Sequence, residues 1–433
     1  MAMATETYSP AFIEAYREER TGEPAWMREL RRRGFDWFSE AGLPTRRDEH
    51  WRFFRPGDAF KGDYRFNAPI SEDLSPGDLA PYLFPDLDAL RMVFVNGRFA
   101  PRLSSLVELP SGARALPVRS DLHDENLPRR MGSLVDIDEH PHLALNTALM
   151  QDGLFLHLTA GTNLSRPVHV LHLASGDEPA ASFPRNLILV EEGARATVLE
   201  SYASLGGAAH LTMPATEVHL EAASRLEHYR LQRESEPAVQ IGWTGISQGR
   251  DSLYVSHEIS LGGAVLRRGT QVMLEDPKAE CRLNGLFLAR GKQHMDHQTR
   301  VAHQSPDCRT EEVYKGILDD EADAAFGGLI LVEQDAQRTD ALQSNRNLLL
   351  SDNAKVTSLP QLEIYADDVK CSHGSTTGQL DERQVFFLRS RGLDEQEARA
   401  MLTYAFAREI LEKMELEAVR SRLSEELRLR LPK

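Results

Sequence analysis

The middle of the chain is a long series of short apolar runs separated by turn-forming residues. Each run is too short, and too rich in turn residues on its flanks, to indicate a helix, so each predicts a β-strand. The clearest runs lie at residues 168–173, 187–190, 218–220, 283–288, 328–332 and 362–364. We therefore expect a mainly β core over residues 146–378.

The turn signals between these runs recur with a regular spacing of roughly 13 to 17 residues. They are Gly249, Gly262, Pro277, Gly291, Pro306, Asp320, Asp335, Asp352 and Asp367. Such regularity predicts a β-solenoid, in which each repeat buries its inner face against its neighbours. The same strands could form an antiparallel sandwich, because run length does not reveal which strands pair. The length of the series and the scarcity of hairpin dipeptides favour the solenoid.

Helical periodicity replaces the β pattern at both ends of the chain. Residues 1–70 predict an N-terminal helical segment, with apolar positions at Phe12, Ile13, Tyr16, Met27, Leu30, Phe35 and Phe38. Residues 71–145 predict a mixed connecting region, in which Asn96-Gly97 indicates a tight turn between two short strands.

Residues 379–433 predict a C-terminal helical domain. Asp394 and Glu397 have the spacing of a helix-capping box. One apolar stripe then follows at helical spacing on one face, and it consists of Ala398, Met401, Leu402, Ala405, Phe406 and Ile410. A second stripe consists of Leu416, Val419, Leu423 and Leu427. The polar faces of these helices could be solvated surface, and a partner-docking role is the sharper hypothesis.

Composition narrows the functional classes. The chain has 433 residues, of which 41% are hydrophobic and 27% charged, values typical of a globular protein. The formal net charge of -16 argues against a nucleic-acid partner and against attraction to anionic lipid. Three widely spaced cysteines, no signal-peptide pattern and no membrane-length apolar stretch favour a cytoplasmic protein. No phosphate-binding or dinucleotide-binding glycine motif is found, so ATP chemistry is not expected of this chain.

The segment Cys371-Ser372-His373-Gly374 is the strongest candidate for chemistry. If the preceding strand continues, Cys371 and His373 share one face, because side chains alternate along a strand. A thiol and an imidazole both bind iron, copper or zinc, yet two ligands do not fill a tetrahedral or cluster site. The pattern predicts half a site, with a purely structural role for both residues as the alternative.

Two other arrangements suggest an alternative stand-alone metal-dependent or carbohydrate-processing enzyme. The segment His294-Met295-Asp296-His297 contains metal-binding residue types, but strand alternation places His297 opposite His294 and Asp296. Hydrogen bonding between adjacent coils is the favoured interpretation. The adjacent carboxylates at residues 311–312, 319–320 and 367–368 should point to opposite sides of strands or lie in turns, so their spacing does not predict an acid and base pair.

Three segments resemble a known family. They are Gly-Leu-Pro-Thr-Arg-Arg-Asp-Glu-His-Trp at residues 42–51, Pro-Gln-Leu-Glu-Ile-Tyr-Ala-Asp-Asp-Val-Lys-Cys-Ser-His-Gly at residues 360–374, and Phe-Leu-Arg-Ser-Arg-Gly at residues 387–392. The family is that of the SufB and SufD scaffold subunits of the SUF iron-sulfur cluster assembly machinery. A SufB chain would carry a cysteine in the strand at residues 342–349, and this sequence has none there, so the resemblance is closer to SufD.

The resemblance implies a right-handed parallel β-helix flanked by helices, and a non-catalytic scaffold. It implies a complex with SufB and two copies of the ATPase SufC, which docks on the C-terminal helices, here at Met401, Leu402, Ala405, Phe406 and Ile410. It also implies a transient iron-sulfur cluster at the SufB-SufD interface, with His373 as a metal ligand or proton acceptor and Cys371 as a weaker candidate. Reduced flavin is associated with such complexes, although this chain carries no flavin fingerprint. Whether the isolated chain forms a homodimer stays an open question.

Overall fold

The computed structural model describes residues 11–17, 22–44, 48, 51–54, 60 and 62–431. The N-terminal signature at residues 42–51 therefore lies partly outside the described residues, since 45–47, 49 and 50 are not among them. Within the described part of the chain, Trp51 is buried in the core and the Arg267 guanidinium lies over its ring, 4.1 Å from the centroid.

Helices occupy both ends of the chain and strands fill its middle. The helices are α1 (Ala11–Arg17), α2 (Ala25–Ala41), α3 (Leu127–Arg130), α4 (Pro141–Leu149), α5 (Glu382–Arg389), α6 (Glu395–Leu411) and α7 (Glu417–Arg430). The strands are β1 (Arg65–Phe66), β2 (Leu90–Val95), β3 (Arg98–Phe99), β4 (Ala113–Pro117), β5 (Leu154–Leu158), β6 (Val168–Ser175), β7 (Ala180–Ser182), β8 (Arg185–Val190), β9 (Arg195–Leu205), β10 (His210–Thr212), β11 (Ala215–Leu220), β12 (Arg225–Arg233), β13 (Val239–Gln248), β14 (Leu253–Ser260), β15 (Val265–Leu274), β16 (Glu280–Ala289), β17 (His294–His303), β18 (Arg309–Leu318), β19 (Asp323–Val332), β20 (Asp340–Leu349), β21 (Lys355–Ile364) and β22 (Lys370–Gly378).

From β11 onward successive strands alternate between two sheets, as a solenoid requires. The first sheet runs β21-β19-β17-β15-β13-β11-β8-β5-β4, and the second runs β22-β20-β18-β16-β14-β12-β9-β6-β2-β3. From β5 and β6 onward all neighbours along these two paths pair in parallel, whereas β4 with β5 and β2 with β3 are antiparallel. The predicted parallel β-helix is confirmed and the sandwich alternative is wrong.

The regular turn signals of the sequence all fall in the connections between successive strands. From β13 onward each coil contains two strands and two turns, so the sequence spacing measures one strand with its turn, which is half a coil. His294 pairs with Asp323, and Asp323 with Lys355, each one coil further along the chain. The β2-β3 hairpin also forms as predicted, with Asn96 and Gly97 at φ of 51° and 78° in its turn.

The N-terminal helices cover the outer face of the first sheet. A buried cluster joins Phe12 and Phe38 of α1 and α2 to Ala144 of α4 and Trp243 of β13. Helix α2 can approach α4 closely because Gly34 has no side chain, and a Cβ there would lie 2.7 Å from the Ala144 carbonyl oxygen. The helical character predicted around these residues is confirmed.

Helices α6 and α7 cover the outer face of the second sheet. Val419, Leu423 and Leu427 of α7 are fully buried against strand residues such as Leu231 and Ile317, which confirms the second predicted stripe. Helix α6 begins at Asp394, and the predicted capping box with Glu397 is present. The domain boundaries predicted at residues 70, 145 and 378 stay predictions.

Candidate functional site at the open end of the solenoid

Strand β22 is the terminal strand of the second sheet and carries the candidate chemistry. It pairs on one side with β20, and most of its residues are exposed. Its start is held by backbone hydrogen bonds from Arg338 to the Asp368 oxygen (2.6 Å) and from Lys370 to the Thr339 oxygen (2.8 Å). The solenoid therefore ends in an ordered strand whose far edge offers backbone groups to another chain.

Cys371 and His373 lie at inward-facing positions of this strand. In register, Cys371 pairs with Ala341 and His373 with Gln343, both of which are buried in the solenoid interior. Ser372 pairs with Leu342, whose side chain faces outward and is 45% exposed. The predicted shared face of Cys371 and His373 is thus confirmed.

The two side chains differ in their surroundings. Cys371 is half-buried against a small apolar cluster that includes Ile330, Ala341 and Ala366. This burial, with the neighbouring Asp340 carboxylate, raises the pKa of the Cys371 thiol. His373 is exposed, and among the described residues none lies within hydrogen-bonding distance of its ring. The site therefore presents a protonated thiol beside an open imidazole.

Further along β22 than His373, polar side chains line the inward face at the open end of the solenoid. Ser375 Oγ donates to Ser358 Oγ (2.8 Å), and Ser358 Oγ in turn donates to Asn345 Oδ1 (2.7 Å). These bonds connect β22 to β21 across the interior and fix the inward face of the last coil. No group of three or more His, Cys, Asp or Glu residues in the described part of the chain is placed to hold a metal ion.

The other two cysteines lie deep in the solenoid. Cys281 and Cys308 are 0% and 1% exposed, and burial raises the pKa of both thiols. All three cysteines are free. Cys371 is therefore the thiol that a reagent or a partner can reach.

The segment at residues 294–297 divides between the two faces of β17, as predicted. Asp296 pairs with Arg267 of the preceding coil, and the His294 ring contacts Asp323 Oδ2 of the next coil at 3.2 Å. His297 points into the interior, where its Nε2 lies 3.1 Å from Ser260 Oγ. Hydrogen bonds between coils thus account for these side chains.

The adjacent carboxylates also separate as expected. Glu312 is fully buried inside the solenoid, while Glu311 faces outward and bonds Lys413 at 2.6 Å. The pairs at residues 319–320 and 367–368 lie in connections between strands.

The stripe predicted on α6 is not a single surface. Ala398 and Ile410 are fully buried, as are Thr403 and Ala407, so the prediction that all six residues of the stripe share one face is wrong. Met401 is 49% exposed, Ala405 is exposed, and Leu402 and Phe406 are partly exposed. The packed face is set by the fit to the second sheet, which the apolar spacing of the helix alone does not reveal. In the preceding α5, Phe386 and Phe387 are 72% and 56% exposed.

Family comparisons cover almost the whole chain. A model described as "SUF system FeS cluster assembly, SufBD core domain" matches residues 172–406, which is more than half of the chain. A second, described as "SufBD protein N-terminal region", matches residues 3–170. The chain belongs to the SufBD family. Its role therefore lies in iron-sulfur cluster assembly.

Curated relatives agree with this SufBD assignment. The chain is 34% identical over 394 residues to the iron-sulfur cluster assembly protein SufD of Escherichia coli K12, with 90% of each chain covered. It is 34% identical over 399 residues to a SufBD family protein of Synechocystis, covering 90% of this chain and 87% of that one. It is 24% identical over 426 residues to SufD of Bacillus subtilis, with 94% of each covered.

Sequence reasoning about this SufBD chain missed the residues beneath His373. Gln343 and Glu312 lie one and two coils deeper in the same inward column. Gln343 Nε2 donates to Glu312 Oε2 at 2.8 Å, across 31 positions in the sequence. A search for polar residues repeating at the coil length would have found them.

Among the described helices, none is long and apolar enough to cross a membrane.

Proposed function

We propose that this chain is a non-catalytic scaffold subunit that contributes Cys371 and His373 to a composite site, where an iron-sulfur cluster is built between this chain and SufB. The observation that carries the proposal is the pairing of a thiol and an imidazole on the inward face of an exposed terminal strand. The unpaired edge of β22 supplies a surface to which a second chain can add.

The ligand count supports a shared site. Iron in assembled clusters takes four ligands, and protein ligands to clusters are thiolates and, less often, imidazoles. This strand offers one of each. The raised pKa of the Cys371 thiol means that a metal ion or a cation from the second chain is needed to stabilise the thiolate. Binding of the second chain and formation of the Cys371 thiolate would then occur together.

We also propose that the C-terminal helical region, residues 379–433, binds the ATPase SufC. The exposed apolar side chains of α5 and α6, with Phe386, Phe387 and Met401 foremost, support this docking surface. Leu402, Ala405 and Phe406 adjoin it, while the buried Ile410 supports it from beneath. ATP hydrolysis is assigned to SufC, and reduced flavin to the assembled complex. In isolation, the open edge of β22 suits a homodimer.

His373→Ala tests the composite site. The variant should express and assemble with SufB and SufC as the parent does, because His373 is exposed and supports no packing. Iron and sulfide bound to the anaerobically isolated complex should fall several-fold. Ser372→Ala is the matched control, since Ser372 lies on the same strand but faces outward. An unchanged cluster content in His373→Ala would contradict the proposal.

A further inference from the structure

Gln343 has an unusual position directly beneath His373. Its side chain is fully buried in the solenoid interior, and its backbone pairs in register with His373 on the terminal strand. Gly328 on the opposite sheet leaves room for the amide, because a Cβ at that position would lie 2.3 Å from Gln343 Nε2. The interior is thus shaped around this side chain.

The orientation of the Gln343 amide is determined from below. Its Nε2 donates to Glu312 Oε2 at 2.8 Å, and Glu312 is fully buried. The other carboxylate oxygen of Glu312 accepts a hydrogen bond from Thr299 Oγ1 at 2.6 Å. Because the nitrogen of the amide is directed toward the previous coil, the amide oxygen is left for a different donor.

That oxygen has no partner. Gln343 Oε1 is buried and without a hydrogen bond in the structure. Buried amide oxygens are nearly always bonded, since an unpaired acceptor loses its interaction with water and gains nothing. The side chain that stands next in the same inward column is His373, one strand spacing of about 4.8 Å away.

We propose that Gln343 is a positioning residue for His373, with its amide oxygen accepting a hydrogen bond from one ring N–H of the imidazole. The proposed bond requires the exposed ring to turn about its side-chain torsions until it lies over the buried amide. The bonded nitrogen carries the proton, so the other ring nitrogen is unprotonated and faces the mouth of the solenoid. Glu312 acts one step further in, by keeping the amide from turning.

The functional meaning of this inference rests on the proposed role of His373 in cluster assembly. The hydrogen bond between Gln343 and His373 does not require a cluster to be present. If His373 is a ligand, a fixed tautomer presents a lone pair in a set direction. Neighbouring Asn347 gives a contrast on the same strand. It is also buried with an unpartnered amide oxygen, yet it pairs in register with Thr377 and has no imidazole above it.

The test is the tautomer of His373 in the isolated full-length chain. Protein labelled with 15N-histidine is studied by long-range 1H–15N correlation at a pH where the imidazole is neutral, and the His373 signals are assigned by their loss in His373→Ala. The parent should show two ring nitrogens with well-separated shifts, as one tautomer requires. Gln343→Leu should bring the two shifts together, and Asn347→Leu should leave them as in the parent.

Glu312 provides a second pair of variants. Glu312→Gln keeps an acceptor for Gln343 Nε2 and should retain the parent pattern, whereas Glu312→Leu should lose it. If the two ring-nitrogen shifts of His373 are already averaged in the parent protein, the inference is overturned without any variant. The inference can therefore be tested even if Gln343→Leu fails to fold. Unchanged shifts in a folded Gln343→Leu would also overturn it. Cluster yield in His373→Ala decides the proposed function separately, because the tautomer is read without partners or iron.

Discussion

The three cysteines show how position decides the chemistry of one residue type. Cys281 and Cys308 face the closed interior of the solenoid, where no solvent reaches a thiolate. Cys371 faces the same interior from the terminal strand of the last coil, so its sulfur is half-buried and reachable. Reactivity requires the thiolate, and burial raises the pKa of all three thiols, but only in Cys371 can a partner reverse that effect.

Alkylation should therefore distinguish the three thiols. Iodoacetamide at pH 8 should modify Cys371 first in the folded chain, and more slowly than an unstructured cysteine peptide because its pKa is raised. In urea all three cysteines should react. Mass spectrometry of the digested protein measures each site.

The matched control for this experiment is Cys371→Ser, which should leave the folded chain nearly unreactive. Protection of Cys371 on addition of SufB would support the shared site. Modification of Cys281 ahead of Cys371 would show that the closed interior described for the solenoid is wrong.

At the scale of elements, helix α6 has one side that packs on the solenoid and another side that is exposed to solvent. Ala407 and Ile410 face the solenoid, whereas Met401 and Ala405 lie on the solvent side. Lys315 of β18 anchors the helix, donating to the Phe406 carbonyl oxygen at 2.9 Å and to Glu409 Oε2 at 2.5 Å. Removing the helices would uncover the apolar outer face of the second sheet, so point substitutions test docking better than truncation.

Met401→Glu should weaken SufC binding about tenfold or more, because a charge replaces an exposed apolar contact, while the melting temperature of the chain should change little. Binding is measured by calorimetry or interferometry with purified SufC. Leu429→Glu is the matched control, since Leu429 is a 74% exposed leucine on α7 and is not among the α5 and α6 residues of the proposed docking surface. Equal binding by Met401→Glu and the parent would place the docking surface elsewhere.

At the scale of the molecule, the solenoid interior holds many titratable groups away from water. Burial lowers the pKa of His169 to about 3 and that of His172 and His303 to about 4. Burial acts in the opposite sense on acids, raising the pKa of Glu234 and Glu312 to about 7. Histidines with a lowered pKa outnumber acids with a raised one: they are His142, His169, His172, His210, His219, His228, His297 and His303, against Asp152, Glu234 and Glu312.

The free energy of unfolding should therefore fall as the pH is lowered from about 6.5 toward 4. A histidine with a depressed pKa binds its proton in the unfolded chain first, so each one contributes a loss of up to about 1.4 kcal/mol per pH unit in that window. The raised acids oppose this, because they take up protons in the folded chain, but they are fewer. Urea unfolding at pH 8, 6 and 5 measures the sum.

Glu312→Gln is the opposite-sign control for this pH dependence. It removes a group that stabilises the folded chain on acidification between about pH 7 and 4.5, so the loss on lowering the pH should become steeper. A free energy of unfolding that stays flat or rises between pH 8 and 5 would contradict the predicted balance of histidines over acids.

Local sequence patterns were sufficient for much of the fold. Apolar runs and turn residues predicted the strands and their connections, because turn formation and side-chain alternation depend on residues a few positions apart. The same alternation placed Cys371 and His373 on one face and separated His297 from Asp296. The resemblance of residues 360–374 to a known family then indicated the site.

Contacts between coils were decided only by the tertiary structure. Gln343 and Glu312 lie beneath His373 because parallel pairing stacks residues about thirty positions apart, and no short-range pattern records that register. The packed face of α6 depends on the shape of the second sheet, so the apolar spacing wrongly placed Ala398 and Ile410 on the same face as Met401. Alternation along one strand is a local property of the chain, whereas a column through several coils exists only after the coils have closed on one another.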